Sequence, residues 1–184
     1  IGTGLAGVKV LAVGKLLIEH CTIQNFTVDG VDFEPSTSNA KLLVSDSTLN
    51  NNVNGSNNSA AIYVQATGAM ASIDRARLGQ NNVGLFVRNG TASVRQSSLS
   101  GNTLNNIRAD STGTVRVNVD NSLISDSTAG GGIFAHLSTA SVSISNSTVT
   151  ANSTGLLALS GASIVSYGNN RIFGNTTSDG APTS

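Results

Sequence analysis

The amino-acid sequence predicts an all-β chain wound as a parallel β-helix, with three strands to the coil and about seven coils. Three observations carry that prediction. Apolar residues alternate by two, the alternating segments recur every 21 to 31 residues, and small and amide residues recur in register between them.

The repeating phrase is plainest from Ser141 to Asn152. Val142 and Ile144 alternate with serines, Ser147 and Val149 resume the alternation, and Asn152 follows. Gly155 then introduces Leu156 and Ala158. Alternation by two belongs to short strands with one buried face, whereas helical repeats need apolar spacings of three and four.

The phrase fills the chain. Its second strand contributes Ile23, Leu49, Leu78, Leu99, Ile124, Val149 and Ile172, with gaps of 21 to 29 residues. Its third, after a glycine turn, contributes Val8, Val31, Ile62, Leu85, Ile107, Ile133 and Leu156, with gaps of 22 to 31. Two series drifting together around one period mark a repeat architecture. Three short strands per period put each strand over its own equivalent, in parallel register and about 4.8 Å away.

In chain order, the first strand of each coil stacks Ile18, Val44, Ile73, Val94, Val119 and Ile144 inward. Three residues later a small residue recurs: Cys21, Ser47, Ala76, Ser97, Ser122 and Ser147. A tight corner has room for little more. Cys21, the sole cysteine, is therefore read as the first rung of that ladder and a small core residue. At the next corner Asn52, Asn102, Asn152 and Asn175 align, with Ser127 substituting. Asparagine accepts left-handed backbone angles, and its amide can bond to the asparagine of the next coil, so this ladder is structural.

One solenoid domain spans residues 1–184. Gly7-Val8-Lys9-Val10 matches Gly30-Val31-Asp32-Phe33, so the chain opens in the middle of a coil. An uncapped solenoid end leaves strand edges unpaired. The expectation is that N-terminal coils or a cap are missing, or that another chain covers this end. Residues 176–184 read as a frayed tail or loose cap. Pro35–Asn39 and Asn50–Ser59 are insertions of loop formers, read as solvated bulges.

Ten basic and ten acidic residues leave no net charge, and only 11% of residues are charged. No surface basic enough to follow a phosphate backbone exists, which sets nucleic-acid binding aside. Solubility rests on Ser, Thr, Asn and Gly, as is typical of secreted or surface β proteins, so an extracellular or cell-surface location is expected. No apolar run of about 18 residues marks a membrane-spanning helix.

The phrases LLIEHCTIQNFTVDGVDF, SVSISNSTVTANSTGLLAL and SYGNNRIFGN resemble bacterial right-handed parallel β-helix repeat proteins of the pectate-lyase-like superfamily, over almost the whole chain. The resemblance implies a right-handed winding, as parallel crossovers also favour. It leaves activity open, because that superfamily spans polysaccharide lyases, glycoside hydrolases, epimerases, tailspikes and adhesins.

Chemistry is sought on the outward stripes. On the glycine-side strand one column reads Lys9, Asp32, Tyr63, Phe86, Arg108, Phe134, Leu157. The column two positions on reads Leu11, Glu34, Gln65, Arg88, Asp110, His136, Leu159. Tyr63, Phe86 and Phe134 beside Arg88, Arg108, Asp110 and His136 would offer a sugar chain ring stacking and planar hydrogen-bonding groups. A polysaccharide or further copies of the chain, packed laterally or head to tail, are the expected partners, and a non-catalytic role is expected. The alternative is a lyase acting on uronate polymers. In it His136 or an arginine is the base, Asp110 orients it or holds a divalent ion, and Arg88 or Arg108 neutralises the substrate carboxylate. Ca²⁺ is the ion that reading admits; otherwise no metal or cofactor is expected. The same Arg, Asp and His stripe also suits plain charge pairing between rungs. At the neighbouring corner Asp46, Asp74 and Arg75 read as a salt-bridged cluster rather than a glycosidase carboxylate pair.

Overall fold

A computed structural model of the chain describes residues 4–53, 59–111 and 113–183. Among them are nineteen strands and no helix, and every strand pair is parallel.

The strands form three faces. The glycine face holds Ala6–Val10, Asp29–Phe33, Asn105–Asp110, Gly131–His136 and Thr154–Leu159, together with the first parts of Ala60–Asp74 and Val83–Arg95. Those two long strands bend through the next corner and continue into the long face. There they join Lys15–Glu19, Lys41–Ser45, Val115–Asp120, Ala140–Ser145 and Ser163–Ser166. The short face stacks seven three-residue strands, from Thr22–Gln24 to Arg171–Phe173. Six full turns separate the first glycine-face strand from the last. Residues 54–58, the middle of the second insertion and of its expected solvated bulge, lie outside the described residues.

The inward ladders pair as the alternation predicts. Ile18, Val44, Ile73, Val94, Val119 and Ile144 are successive partners. So are the Ile23-to-Ile172 and Val8-to-Leu156 series. Most of these side chains are fully buried in one continuous core. Burying each contributes about 1.5–3 kcal/mol.

The corners are built from polar rungs. The backbone N–H groups of Cys21, Ala76, Ser97 and Ser122 donate to the hydroxyls of Ser47, Ser97, Ser122 and Ser147 one coil on, at 3.0–3.2 Å. Cys21 does hold the first rung, but it is exposed, which corrects its expected place in the core. The serines below it are buried because each has a coil on both sides; the described residues put a coil on only one side of Cys21.

The amide ladder also departs from expectation. It includes Asn81, whose Oδ1 accepts from the backbone and side chain of Asn52, both at 3.0 Å. The left-handed residue is not the ladder asparagine but the one before it: Asn51, Gln80, Gly101, Asp126, Ala151 and Gly174 all have positive φ. The last rung bonds to Asp179, whose Oδ1 accepts from the N–H and Nδ2 of Asn175 at 3.0 and 2.8 Å. Residues 176–183 are therefore tied down rather than frayed: Ser178 and Asp179 accept from Gly155 and Leu156, and Thr183 exchanges bonds with Ile164.

Ser127 interrupts the ladder, and Asn106 fills its place. Asn106 Oδ1 accepts from Asn102 at 2.7 Å, and its Nδ2 reaches Asn152 Oδ1, two coils beyond Asn102, at 2.8 Å. At this position one coil carries the small Ala61, and others carry Gly30, Gly84, Gly132 or Gly155. A Cβ on any of these glycines would lie 2.7–3.0 Å from the amide nitrogen of the ladder asparagine one coil on. A side chain as long as asparagine fits at position 106 because its neighbour is the shorter Ser127.

Candidate functional site

The glycine face presents the outward column in the expected order: Lys9, Asp32, Tyr63, Phe86, Arg108, Phe134 and Leu157 pair rung by rung. In the next column Asp110, His136 and Leu159 pair, but a register shift after Val64 sets Gln65 against Asn89 rather than Arg88.

The expected open aromatic stripe is not there. Tyr63 and Phe86 are only 9% and 2% exposed, and they pack edge to face with ring centroids 5.3 Å apart. With Ala60, Val83 and the half-buried Leu104 they form a second apolar cluster outside the coil core. The signal for it is in the sequence. Leu104 is apolar but out of phase with the inward Ile107 and Ala109, whereas Ala60 and Val83 stand two residues before Ile62 and Leu85 and read as inward.

Downstream, the predicted polar residues do come together. Arg108 Nη2 donates to Asp110 Oδ2 at 2.6 Å, and His136 Nδ1 lies 2.8 Å from Asp110 Oδ1. The guanidinium of Arg108 sits 4.6 Å over the Phe86 ring and 5.7 Å from that of Phe134. Phe134 and His136 stack with centroids 6.0 Å apart. Burial works to raise the Asp110 pKa, yet the bonds from Arg108 and His136 outweigh it and hold the carboxyl below its ordinary value. Arg88, exposed, bonds the Tyr63 hydroxyl at 3.4 Å. The site residues therefore divide. Phe134, His136, Arg108 and Asp110 form a partly exposed patch, Arg88 flanks it in solvent, and Tyr63 and Phe86 lie beneath.

At the start of the face lie acids outside that patch. Lys9 Nζ lies 2.5 Å from Asp32 and 3.6 Å from Glu34. Asp29 is buried and accepts the Ala60 N–H at 2.7 Å. Burial, opposed by that bond, raises its pKa to about 7. The corner cluster is ion-paired as expected: Arg75 grips Asp46 through Nε and Nη2, both at 2.8 Å, and also contacts Asp74. Beside it a groove of about 720 Å³, lined in part by Arg75, Arg77, Gln96, Asn121 and Asn146, runs along the corner between the long and short faces.

The family described as "Right handed beta helix region" matches residues 6–177. The chain belongs to the right-handed β-helix family. No curated protein and no solved structure matches it. For this β-helix, membership accounts for the coil and its ladders and leaves the Arg108–Asp110–His136 patch to be read from its own geometry. No helix among the described residues is long and apolar enough to cross a membrane.

Proposed function

We propose that this β-helix is a non-catalytic, extracytoplasmic protein that binds a glycan across the glycine face. The observation that supports it is the partly exposed stack of Phe134 and His136 beside the Arg108–Asp110 pair. Rings and planar polar groups in one patch suit the apolar face and hydroxyl edge of a pyranose. Asp110 is satisfied from two sides and Arg108 is held between rings, which suits recognition better than proton abstraction. The lyase alternative relies on His136 or an arginine as base.

Affinity electrophoresis through gels containing neutral or uronate polysaccharides tests this. Retardation of the native chain, lost in Phe134→Ala and weakened in Arg88→Ala, is the expected result. Retardation unchanged in both variants rejects the site. Loss through Arg77→Ala or Gln96→Ala would move binding to the corner groove. Release of products with the short-wavelength ultraviolet absorbance of an unsaturated uronate would favour the lyase.

A second reading, self-assembly, rests on exposed Leu5, Leu11 and Leu17 on the first described coil and Leu159, Tyr167 and Phe173 on the last. Contacts of one end with the other do not close and would build filaments. Concentration-dependent sedimentation supports it, and a single monomeric boundary opposes it.

A further inference from the structure

The corner between the long and short faces places one residue per coil in the left-handed region. His20, Asp46, Arg75, Gln96, Asn121 and Asn146 have φ between 46° and 52°. On the first two coils this gathers three potential ligands. One donor atom each from Glu19, His20 and Asp46 lies within 4.8 Å of the others.

We propose that Glu19, His20 and Asp46 form a binding site for a divalent transition-metal ion of the zinc class, stapling the first described coil to the second. The site is separate from the glycine-face patch. An imidazole nitrogen with two carboxylates suits zinc and its neighbours, whereas calcium and magnesium take oxygen ligands. A tetrahedral ion with bonds of about 2.1 Å holds its donors roughly 3.4 Å apart, so the trio closes by about an ångström. Glu19 and His20 are exposed and free to make that adjustment.

Asp46 is held from behind. The two 2.8 Å bonds from Arg75 occupy one lone pair on each oxygen, and a carboxylate has about four such sites. Ser45 Oγ similarly donates to Glu19 Oε1 at 3.3 Å. Outer partners of this kind orient ligating carboxylates. The Arg75 hydrogen bond is also the largest cause holding the Asp46 carboxyl below its ordinary pKa, in the deprotonated form that a ligand needs. Cys21 is not part of the set; its Sγ lies 3.2 Å from the Glu19 carbonyl.

Calorimetric titration of the chelator-treated chain with zinc sulfate tests the site. The expected result is one equivalent bound, at least about tenfold weaker in Glu19→Gln, His20→Asn and Asp46→Asn. Asparagine is chosen at position 20 because it accepts the left-handed backbone. His136→Asn, which alters the other histidine, should bind zinc as the native chain does. Zinc should also raise the melting temperature of the native chain and not that of His20→Asn. No saturable uptake, unchanged affinity in His20→Asn, or loss through His136→Asn would each overturn the proposal.

Discussion

Asn106 and Ser127 exchange size across one step of the coil, and each makes sense only with the other. Asn106→Gly leaves Asn102 Nδ2 and the Ser125 carbonyl without their bonds from this side chain. Ser127→Asn forces a second amide into space already filled. Each single change should cost about 1–3 kcal/mol, and the double change, which rebuilds the glycine-over-asparagine contact of other coils, should recover most of it. A urea double-mutant cycle measures the coupling, and additive losses would contradict the exchange. Asp29 supplies a second test at this scale. Its folded pKa of about 7 exceeds the ordinary 3.8, so the folded chain holds a proton that the unfolded chain releases between those values. The stability this contributes is complete below pH 3.8 and is lost as pH rises through about 7. Asp32 and Glu34 push in the same direction, and the Ala60 N–H and Lys9 oppose it. Asp29→Asn keeps an acceptor for Ala60 and should flatten the decline in stability from about pH 5 to about pH 8. At the alkaline end it should be the more stable by on the order of 2–4 kcal/mol, and an equal slope in both proteins would refute the assignment.

Individual strands show what a line of residues can and cannot disclose. The inward positions were legible throughout, because alternation by two and a shared period specify both face and register. Three features were not. The register shift after Val64 follows from two long strands turning a corner at different places, which alternation does not encode. The covering of Tyr63 and Phe86 depends on a second layer, to which the out-of-phase Leu104 was the one clue among its members. The donor distances among Glu19, His20 and Asp46, which share one corner, need the coil geometry, since Asp46 belongs to the next coil. The glycines offer a test at this scale. A Cβ on Gly84 would sit 2.5 Å from the Asn106 carbonyl oxygen and 3.0 Å from Asn102 Nδ2, whereas one on Gly14 meets nothing within 4 Å. Gly84→Ala should destabilise by about 1–3 kcal/mol, and Gly14→Ala should cost little. Equal denaturation midpoints for the two would show that the strand can yield where the close approach says it cannot.

For the whole molecule, cohesion comes from the axial stack of apolar rungs and hydrogen-bonded corners, with little help from charge. The ion pairs among the described residues fall into three groups, around Lys9, Arg75 and Arg108. Exposed pairs are worth at most about 1 kcal/mol and are screened by salt. Raising sodium chloride from about 0.05 to about 0.5 M should therefore shift the unfolding free energy by less than about 1 kcal/mol. A larger loss would mean that these few pairs hold the coils together. Asn106 also bears on how such a rod could be lengthened. Copying one period, in a genome or at the bench, joins new neighbours at a splice. Most splices would again set a glycine beside an amide. One falling between positions 106 and 127 would part this matched couple, and the newly joined module would arrive with a side chain too many or too few. The two residues must be inherited as a block, while the modules around them can be dealt out singly.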